Sequence, residues 1–307
     1  MRILVTGGAG FIGSHLAERF VQLGHTVVVL DNLSTGRKSN VPTGAELIVG
    51  DVADKARVDE AMAGAELVFH EAAERAVLRS VEDPIGTDRS NTLGTLNVLL
   101  AARDAGAQRV VVASSSSIYG GVTKVPTSES AAPSPRSPYA VSKLAAETYS
   151  TLFAELYEVE TVALRYFNVF GPRQRPDDQY SAVIPLFIRA LQRGEQVEVH
   201  GDGKQSRDFT FIDDVVKANE LAAGVDASTV SGKAYNIGRG ESHSLLELLS
   251  ILGVILEVEP SPKHVESRRG DVRLSQADIS AARRDLGYVP TVSFEDGLRR
   301  TVSALLA

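Results

Sequence analysis

Along the first half of the chain, short apolar runs alternate with segments of helical period. Runs at residues 2–6, 26–30, 45–50, 66–70 and 109–114 are near-continuous Val/Ile/Leu stretches, and a sixth follows at 160–165. Strands that alternate apolar with polar have one wet face; continuous runs belong to parallel strands covered on both faces. Between the runs, the spacing predicts helices over 11–23, 55–62, 91–105 and 139–157. Repeated strand–helix units with right-handed crossovers predict an α/β fold, a doubly wound parallel sheet.

The pattern loosens after about residue 170. Gly171-Pro172-Arg173-Gln174-Arg175-Pro176-Asp177-Asp178 reads as a loop. Beyond it the elements are shorter: a helix near 182–193, strands near 197–199 and 209–212, and a helix near 213–223. A strand at 234–237 and helices near 245–252, 275–286 and 294–306 complete the chain. We therefore expect residues 1–170 to form the sheet domain, with some return of chain from the C-terminal half. Residues 171–307 are expected to form a smaller C-terminal α/β lobe. No flexible linker separates the two, so they are expected to share a cleft.

Composition narrows the classes. The chain has 307 residues, 43% hydrophobic and 23% charged, which excludes disorder as its main state. The formal charge is −7, from 32 Lys+Arg against 39 Asp+Glu. A nucleic-acid binder carries a basic face, so no nucleic-acid partner is expected. Any anionic ligand must then be held by a local cluster of arginines. There is no cysteine, which removes disulfides, thiolate metal sites and cysteine nucleophiles, and no metal site is expected. No run approaches the roughly 18 apolar residues of a membrane span. The opening Met1-Arg2-Ile3-Leu4-Val5-Thr6-Gly7 is apolar too briefly for a signal peptide, so a cytoplasmic location is expected.

Gly7-Gly8-Ala9-Gly10-Phe11-Ile12-Gly13 joins the first run to the first helix. Gly7 permits a tight turn, Gly10 close approach of a pyrophosphate, and Gly13 close packing of the helix. The helix start supplies free N–H groups and a positive dipole end. Asp31, 18 residues past Gly13, follows the second run. A carboxylate there accepts from ribose hydroxyls and repels a 2′-phosphate, so NAD is expected over NADP. The alternative for Asp31 is a cap for the loop 32–36. Asp51, before Val52, can reach an adenine amino group or serve as a helix cap. Ala72 and Ala73 follow the fourth run and leave room for a cofactor.

Ser137-Pro138-Tyr139-Ala140-Val141-Ser142-Lys143 carries candidate chemistry. Ser137 is a good N-cap and Pro138 suits the first helical position. Tyr139 and Lys143 are then i and i+4, on one helix face. For a phenol to work as a base near neutrality, its pKa must fall by about 3 units, or about 4 kcal/mol. One ammonium at ~4 Å supplies about that much at an effective dielectric near 20. An exposed helical pair is the plainer alternative. Upstream, Ala113-Ser114-Ser115-Ser116-Ser117-Ile118-Tyr119-Gly120 ends the fifth run, at the edge where a doubly wound sheet binds ligands. A serine there can polarise a substrate hydroxyl toward Tyr139; a simple polar loop is the alternative.

Together these blocks make the chain resemble the extended short-chain dehydrogenase/reductases, in the NAD-dependent epimerase/dehydratase family of nucleotide-sugar enzymes. The resemblance runs on through Asp31-Asn32, His70 to Ala73, Ser80-Val81-Glu82-Asp83-Pro84, Asn91 and Gly94-Thr95. It includes Arg165-Tyr166-Phe167-Asn168-Val169-Phe170-Gly171-Pro172-Arg173, Gly201-Asp202-Gly203 and Arg207-Asp208-Phe209. Tyr235-Asn236-Ile237-Gly238 and Gly270-Asp271-Val272 close it.

The resemblance implies a Rossmann-like NAD domain at 1–170 and a nucleotide-sugar lobe at 171–307. It implies Ser115 as the hydroxyl-polarising residue, Tyr139 as the base and Lys143 as its electrostatic partner, which also holds the nicotinamide ribose. Gly7, Gly10, Phe11, Ile12, Gly13, Asp31, Asn32, Asp51, Val52, Ala72, Ala73, Asn91 and Tyr166 would complete the NAD site. Ser116 would touch the sugar, Asn168 the diphosphate, and Arg207 and Arg268 would grip the phosphates. Val183, Val199 and His200 would line the uracil site, with Glu198 beside them. Without the family, Arg268-Arg269 reads as a solvated basic pair.

The reaction implied is 4-epimerisation of a UDP-sugar. Tyr139 takes the 4-hydroxyl proton while hydride leaves C4, and a 4-keto sugar turns over before hydride returns to its other face. Dehydratases of the family place acidic residues after the Ser/Thr, where Ser116 and Ser117 stand, and decarboxylases place a glutamate in that loop. Ser275 stands where family members restricted to UDP-glucose carry a bulky tyrosine, which leaves space for an N-acetyl group. Its alternative is an N-cap. A UDP-glucuronate 4-epimerase and a non-catalytic NAD-binding sensor remain as alternatives. The segment 245–259 is apolar and compressed where relatives carry a longer helix plus strand. A homodimer is expected, with helices 91–105 and 139–157 as candidate contacts; core packing explains their apolar faces equally well.

Overall fold

The computed structural model describes residues 1–75, 77–121, 124–175, 182–267 and 272–306. β1 (Arg2–Thr6) turns into α1 (Phe11–Gln22), followed by β2 (Thr26–Asp31), β3 (Ala45–Val49), α2 (Lys55–Met62) and β4 (Leu67–His70). Two short helices, α3 (Val77–Glu82) and α4 (Pro84–Asp88), lead through a π-helical turn at Arg89–Leu93 into α5 (Gly94–Ala105). β5 (Arg109–Ser115), α6 (Pro138–Tyr157) and β6 (Glu160–Tyr166) complete this half. The second half adds β7 (Val169–Phe170), α7 (Val183–Gln192), β8 (Val197–His200), β9 (Ser206–Arg207) and β10 (Thr210–Phe211). It continues with α8 (Ile212–Gly224), α9 (Ala227–Val230), β11 (Lys233–Ile237), β12 (His243–Ser244), α10 (Leu245–Leu256), β13 (Pro262–Val265), α11 (Ser280–Leu286) and α12 (Phe294–Leu306).

The main sheet has seven strands in the order β11-β6-β5-β4-β1-β2-β3. All its pairings are parallel. The strands read as continuous apolar runs because each face meets its own core. Ile3, Val5, Val27 and Val29 join one cluster with α1 and the second half of the chain. Leu4, Val28, Leu30 and Val68 join the other, with Val58 and Met62 of α2, Val98 of α5 and Phe153 of α6. β11 returns from the C-terminal half to pair with β6, from Lys233 opposite Val162 to Ile237 opposite Tyr166.

Local capping signals held where they were strong. Ser137 accepts the backbone N–H of Ala140 at 3.1 Å, with Pro138 in the first turn of α6. The predicted helix 91–105 begins instead as the π-helical turn, and α5 proper starts at Gly94. The predicted helix 275–286 starts only at Ser280. Residues before it are extended: Ala277 N–H is taken by Asp208 at 3.0 Å and Asp278 N–H by the Thr127 carbonyl at 2.9 Å. Ser275 is therefore no N-cap. The compressed segment 245–259 keeps its helix, and the strand follows just beyond it. Ser244 and Glu247 form a reciprocal capping box on α10, and β13 pairs in parallel with β8. No helix among the described residues is long and apolar enough to cross a membrane.

Candidate functional site

The carboxyl ends of β1, β2, β4, β5 and β6 meet around one cavity, lined from Gly7 to Gly13 on one side and by Tyr139, Lys143 and Tyr166 on the other. Gly7 sits at φ +67°, and a Cβ there would lie 2.7 Å from Ala72 N. A Cβ on Gly13 would lie 2.3 Å from the Gly7 carbonyl oxygen. Gly13 thus lets the first turn of α1 close on the glycine turn itself, a contact nearer than the sheet. Gly10 is the helix cap, and among the described residues no side-chain cap bonds the first N–H groups of α1. Those unpaired donors and the positive helix end suit a pyrophosphate.

Asp31 braces the loop and faces the cavity. It accepts Ala9 N–H at 2.9 Å and Leu33 N–H at 2.8 Å, and it lines the cavity beside Asn32. Asp51 and Val52 line it too; Asp51 accepts from the Asn32 amide at 3.0 Å and from Ala53 N–H at 2.8 Å. Asp51 does not cap α2; Asp54 does. The residues present therefore fit a dinucleotide: a backbone cradle that side chains would fill, with a carboxylate at its far end.

Under Ala72 and Ala73, which also line the cavity, runs a buried chain of hydrogen bonds. Ala72 N–H donates to Thr6 Oγ1 at 3.3 Å, and Thr6 Oγ1 meets His70 Nδ1 at 2.8 Å. His70 Nε2 meets Thr95 Oγ1 at 3.0 Å, and Thr95 donates to the Asn91 carbonyl. Since Thr95 has given its proton away, His70 is the donor to it and is neutral. Burial, then the charge of Lys143, pushes its pKa down to about 3. Asn91 differs from expectation. It is 2% exposed, and its amide is spent on the Glu74 backbone and Ser142 Oγ, so it shapes the loop rather than facing the cavity.

Tyr139, Ser114 and Tyr166 line this cavity and also an adjoining cleft, where Ser115, Ser116, Asn168, Arg207 and Ser275 lie. Ser115 hydrogen-bonds Tyr139 and lowers its pKa, but burial is the larger effect and raises it. Lys143 behaves differently from the helical-pair expectation. Its ammonium donates to the Ala113 carbonyl at 2.8 Å. Among the described residues, the charges acting on Tyr139 are Arg75, which lowers its pKa, and Glu71, which raises it. Burial also pulls Lys143 down, opposed by Glu71. The i, i+4 spacing set the shared face, but the β5 carbonyl captured the ammonium.

Asn168 and Arg207 continue into a further apolar cavity lined by Val183, Glu198 and His200. Arg207 Nη1 donates to the Ser206 and Val272 carbonyls, which anchors the guanidinium at this junction. Val199 is a correction: β8 alternates, and Val199 is fully buried in the core while Glu198 faces out. Arg268 lies outside the described residues, as do Gly270 and Asp271. Sequence reasoning missed Glu71 and Arg75, which line the cofactor cavity. Their signal was present: Glu71, Glu74 and Arg75 follow a fully buried strand at the ligand edge of the sheet, where isolated charge is costly.

The description of the NAD dependent epimerase/dehydratase family matches residues 3–238. The chain belongs to that family. One relative, a UDP-glucose 4-epimerase of Mycolicibacterium smegmatis, is 38% identical over 309 residues, covering 98% of this chain and 97% of that protein. The UDP-glucose 4-epimerase of Thermotoga maritima, solved with UDP-glucose, superposes with a TM-score of 0.95 at 37% identity, covering 100% of this chain and 99% of the other. The UDP-N-acetylglucosamine 4-epimerase of Methanobrevibacter ruminantium, solved with UDP-N-acetylmuramic acid, gives 0.94 at 36%, covering 99% and 98%. Family membership accounts for the seven-stranded parallel sheet and for NAD as the cofactor.

Proposed function

We propose that this chain is an NAD-dependent UDP-hexose 4-epimerase. The observation that carries this is Tyr139, hydrogen-bonded by Ser115 and lining both the dinucleotide cavity and the cleft beside it. A base shared by both spaces can take a proton from one ligand while the other stands within reach.

Bound NAD supplies an acceptor that takes hydride from the sugar C4 and later returns it. The chain does the rest. Backbone N–H groups at the start of α1 hold the pyrophosphate, with Phe11 and Ile12 against it. Asp31 and Asn32 take the adenosine ribose, and Asp51 and Val52 the adenine. Lys143, fixed by Ala113, holds the nicotinamide ribose. Ser115 orients the 4-hydroxyl and Tyr139 Oη receives its proton, then gives one back to the 4-keto sugar. Burial alone would keep Tyr139 protonated; Ser115 and Arg75 oppose it, and a bound oxidised cofactor would supply a further positive charge. Arg207, Asn168 and Arg268 grip the diphosphate, which leaves the keto sugar free to turn over. Val183 and His200 line the uracil side.

Ser275 is small and lies in the cleft, so N-acetylated hexoses are accepted along with UDP-glucose or UDP-galactose. A UDP-glucuronate 4-epimerase is the second reading, supported by Arg136 in the same cleft as a cation for C6. The test mixes purified protein separately with UDP-GlcNAc, UDP-glucose and UDP-glucuronate, without added reductant, and follows C4 epimers by NMR. Epimer from a hexose supports the proposal, and no epimer from any of the three refutes it.

The protein is a cytoplasmic homodimer in this reading. Val81 of α3, Ile85 of α4 and Val141 of α6 are 63%, 81% and 53% exposed on neighbouring helices. Most apolar residues of α5 are buried in the core, so α3, α4 and α6 are the better contact.

A further inference from the structure

Glu71 is the charged group that the reaction outlined above does not use. It follows β4 directly, lines the cofactor cavity and is locked in place. Its backbone N–H donates to the Thr6 carbonyl at 3.2 Å. Its Oε1 accepts from Tyr166 Oη at 2.7 Å. Asn219 donates to Tyr166 Oη at 2.8 Å and to the Val215 carbonyl at 2.9 Å, so its amide is held; Tyr166 has Glu71 at 2.7 Å as its nearer acceptor and Asn219 Oδ1 at 3.2 Å as its farther one. Asn219 is fully buried, which fixes this support from the α8 side. Among the described residues, no cation lies in ion-pair contact with Glu71. Burial raises its pKa to about 7, opposed by the Tyr166 hydrogen bond and by Lys143, so the carboxylate is fully charged above neutral pH; its charge then acts on both Lys143 and Tyr139. It therefore sits at the end of the cavity where those two residues stand.

The other acidic residues lining the cavity are engaged elsewhere. Asp31 and Asp51 lie at the edge formed by β2 and β3, and Glu74 pairs with Arg79 at 3.3 Å. Glu71 alone among them sets a negative charge beside Tyr139 and Lys143. The oxidised nicotinamide ring carries one positive charge; the reduced ring carries none. In its ionised form, a carboxylate held in place discriminates between them by charge.

We propose that Glu71 is an electrostatic selector for the oxidised cofactor: held by Tyr166 at the Tyr139–Lys143 end of the cavity, its carboxylate favours the cationic nicotinamide ring over the neutral reduced one. This rests on the reading that the cavity holds NAD with its ring at that end. Glu71 exchanges no electrons or protons with the sugar. Hydride passes from the sugar C4 to the ring and back, and the carboxylate shifts that balance toward return. A 4-keto sugar is then reduced again before it can escape and strand the enzyme with a reduced cofactor.

The test uses the full chain as purified, wild type beside Glu71→Gln, Glu71→Leu and Glu71→Asp. Each is equilibrated at pH 8.5, above the raised pKa of Glu71, with an equimolar mixture of NAD and NADH, freed of unbound cofactor, and its bound cofactors are extracted and quantified. Loss of the charge in the Gln and Leu variants is expected to raise the bound NADH:NAD ratio by about tenfold, about 1.4 kcal/mol. The Asp variant, which keeps the charge, should stay near the wild-type ratio. A ratio unchanged in both the Gln and Leu variants overturns the proposal while leaving the NAD site intact. Wild-type protein that retains neither cofactor overturns the NAD reading itself, and the selector with it. A merely structural role for Glu71 would lower both cofactors together and leave the ratio where it was, which also overturns the proposal.

Discussion

The ammonium of Lys143 donates to the carbonyl oxygen of Ala113 at 2.8 Å, which ties α6 to the end of β5. The bond sets where the ammonium can act: on the cofactor side of Tyr139, beside Glu71. Lys143→Met removes the charge and the side-chain hydrogen bond to the Ala113 carbonyl. We predict a kcat loss of about 10²-fold or more, the scale on which acid–base assistance operates. Steady-state kinetics checks this, and unaltered kcat would show that Lys143 only supports the fold.

Ser275 faces the sugar cleft with no helix to cap. Ser275→Tyr adds a ring where space now exists. N-acetylated substrates should lose kcat/KM at least about tenfold more than UDP-glucose does, since one steric group in a pocket discriminates by about 10–200-fold. Competing measurements on UDP-GlcNAc and UDP-glucose decide it. Equal loss on both rules out a steric gate.

His70 makes stability depend on pH. Unfolded, its pKa is about 6.5; folded, burial holds it at about 3. The fold prefers neutral histidine, so the unfolded state binds the extra proton below pH 6.5. This contribution is complete above pH 6.5 and is lost as pH falls toward 3. Between pH 7.5 and 5 the loss is about 2 kcal/mol. Denaturant unfolding at both pH values should show that difference for the wild type. His70→Asn should flatten it by about that amount, whatever its overall stability.

Val81, Ile85 and Val141 are exposed on helices that pack together. Ile85→Glu with Val81→Glu should convert a dimer to monomer in sedimentation or light scattering. A wild type that is monomeric at micromolar concentration contradicts the dimer.

Much of the fold was legible because its signals are local. Residues 55–62 read as a helix and form α2, with Asp54 supplying the cap one residue earlier. Ser137 and Pro138 start α6 where capping chemistry puts it. The six apolar runs became strands because both sheet faces are covered, which the runs themselves announce. What failed depended on distant partners. Val199 turned inward because its strand alternates against the core. Asn91 turned away from the cavity because Glu74 and Ser142 claimed its amide. Residues 275–278 stayed out of the helix because Ser206, Asp208 and Thr127 took the N–H groups of Ser275, Ala277 and Asp278. The site's chemistry was visible in Ser115, Tyr139 and Lys143, but the electrostatics around them was not. Those depend on Glu71 and Arg75, whose place just after the buried β4 marks the ligand edge without saying which charges they act on.

The central claim is that C4 of a UDP-hexose is oxidised and reduced again within one cavity by a captive cofactor. It is tested most directly with UDP-[4-²H]GlcNAc or UDP-[4-²H]glucose and no added NAD. The account predicts C4 epimer that keeps its deuterium, with Tyr139→Phe slower by about 10²-fold or more. Epimer that has lost its deuterium to water would mean proton abstraction at carbon, and no epimer at all would contradict the assignment.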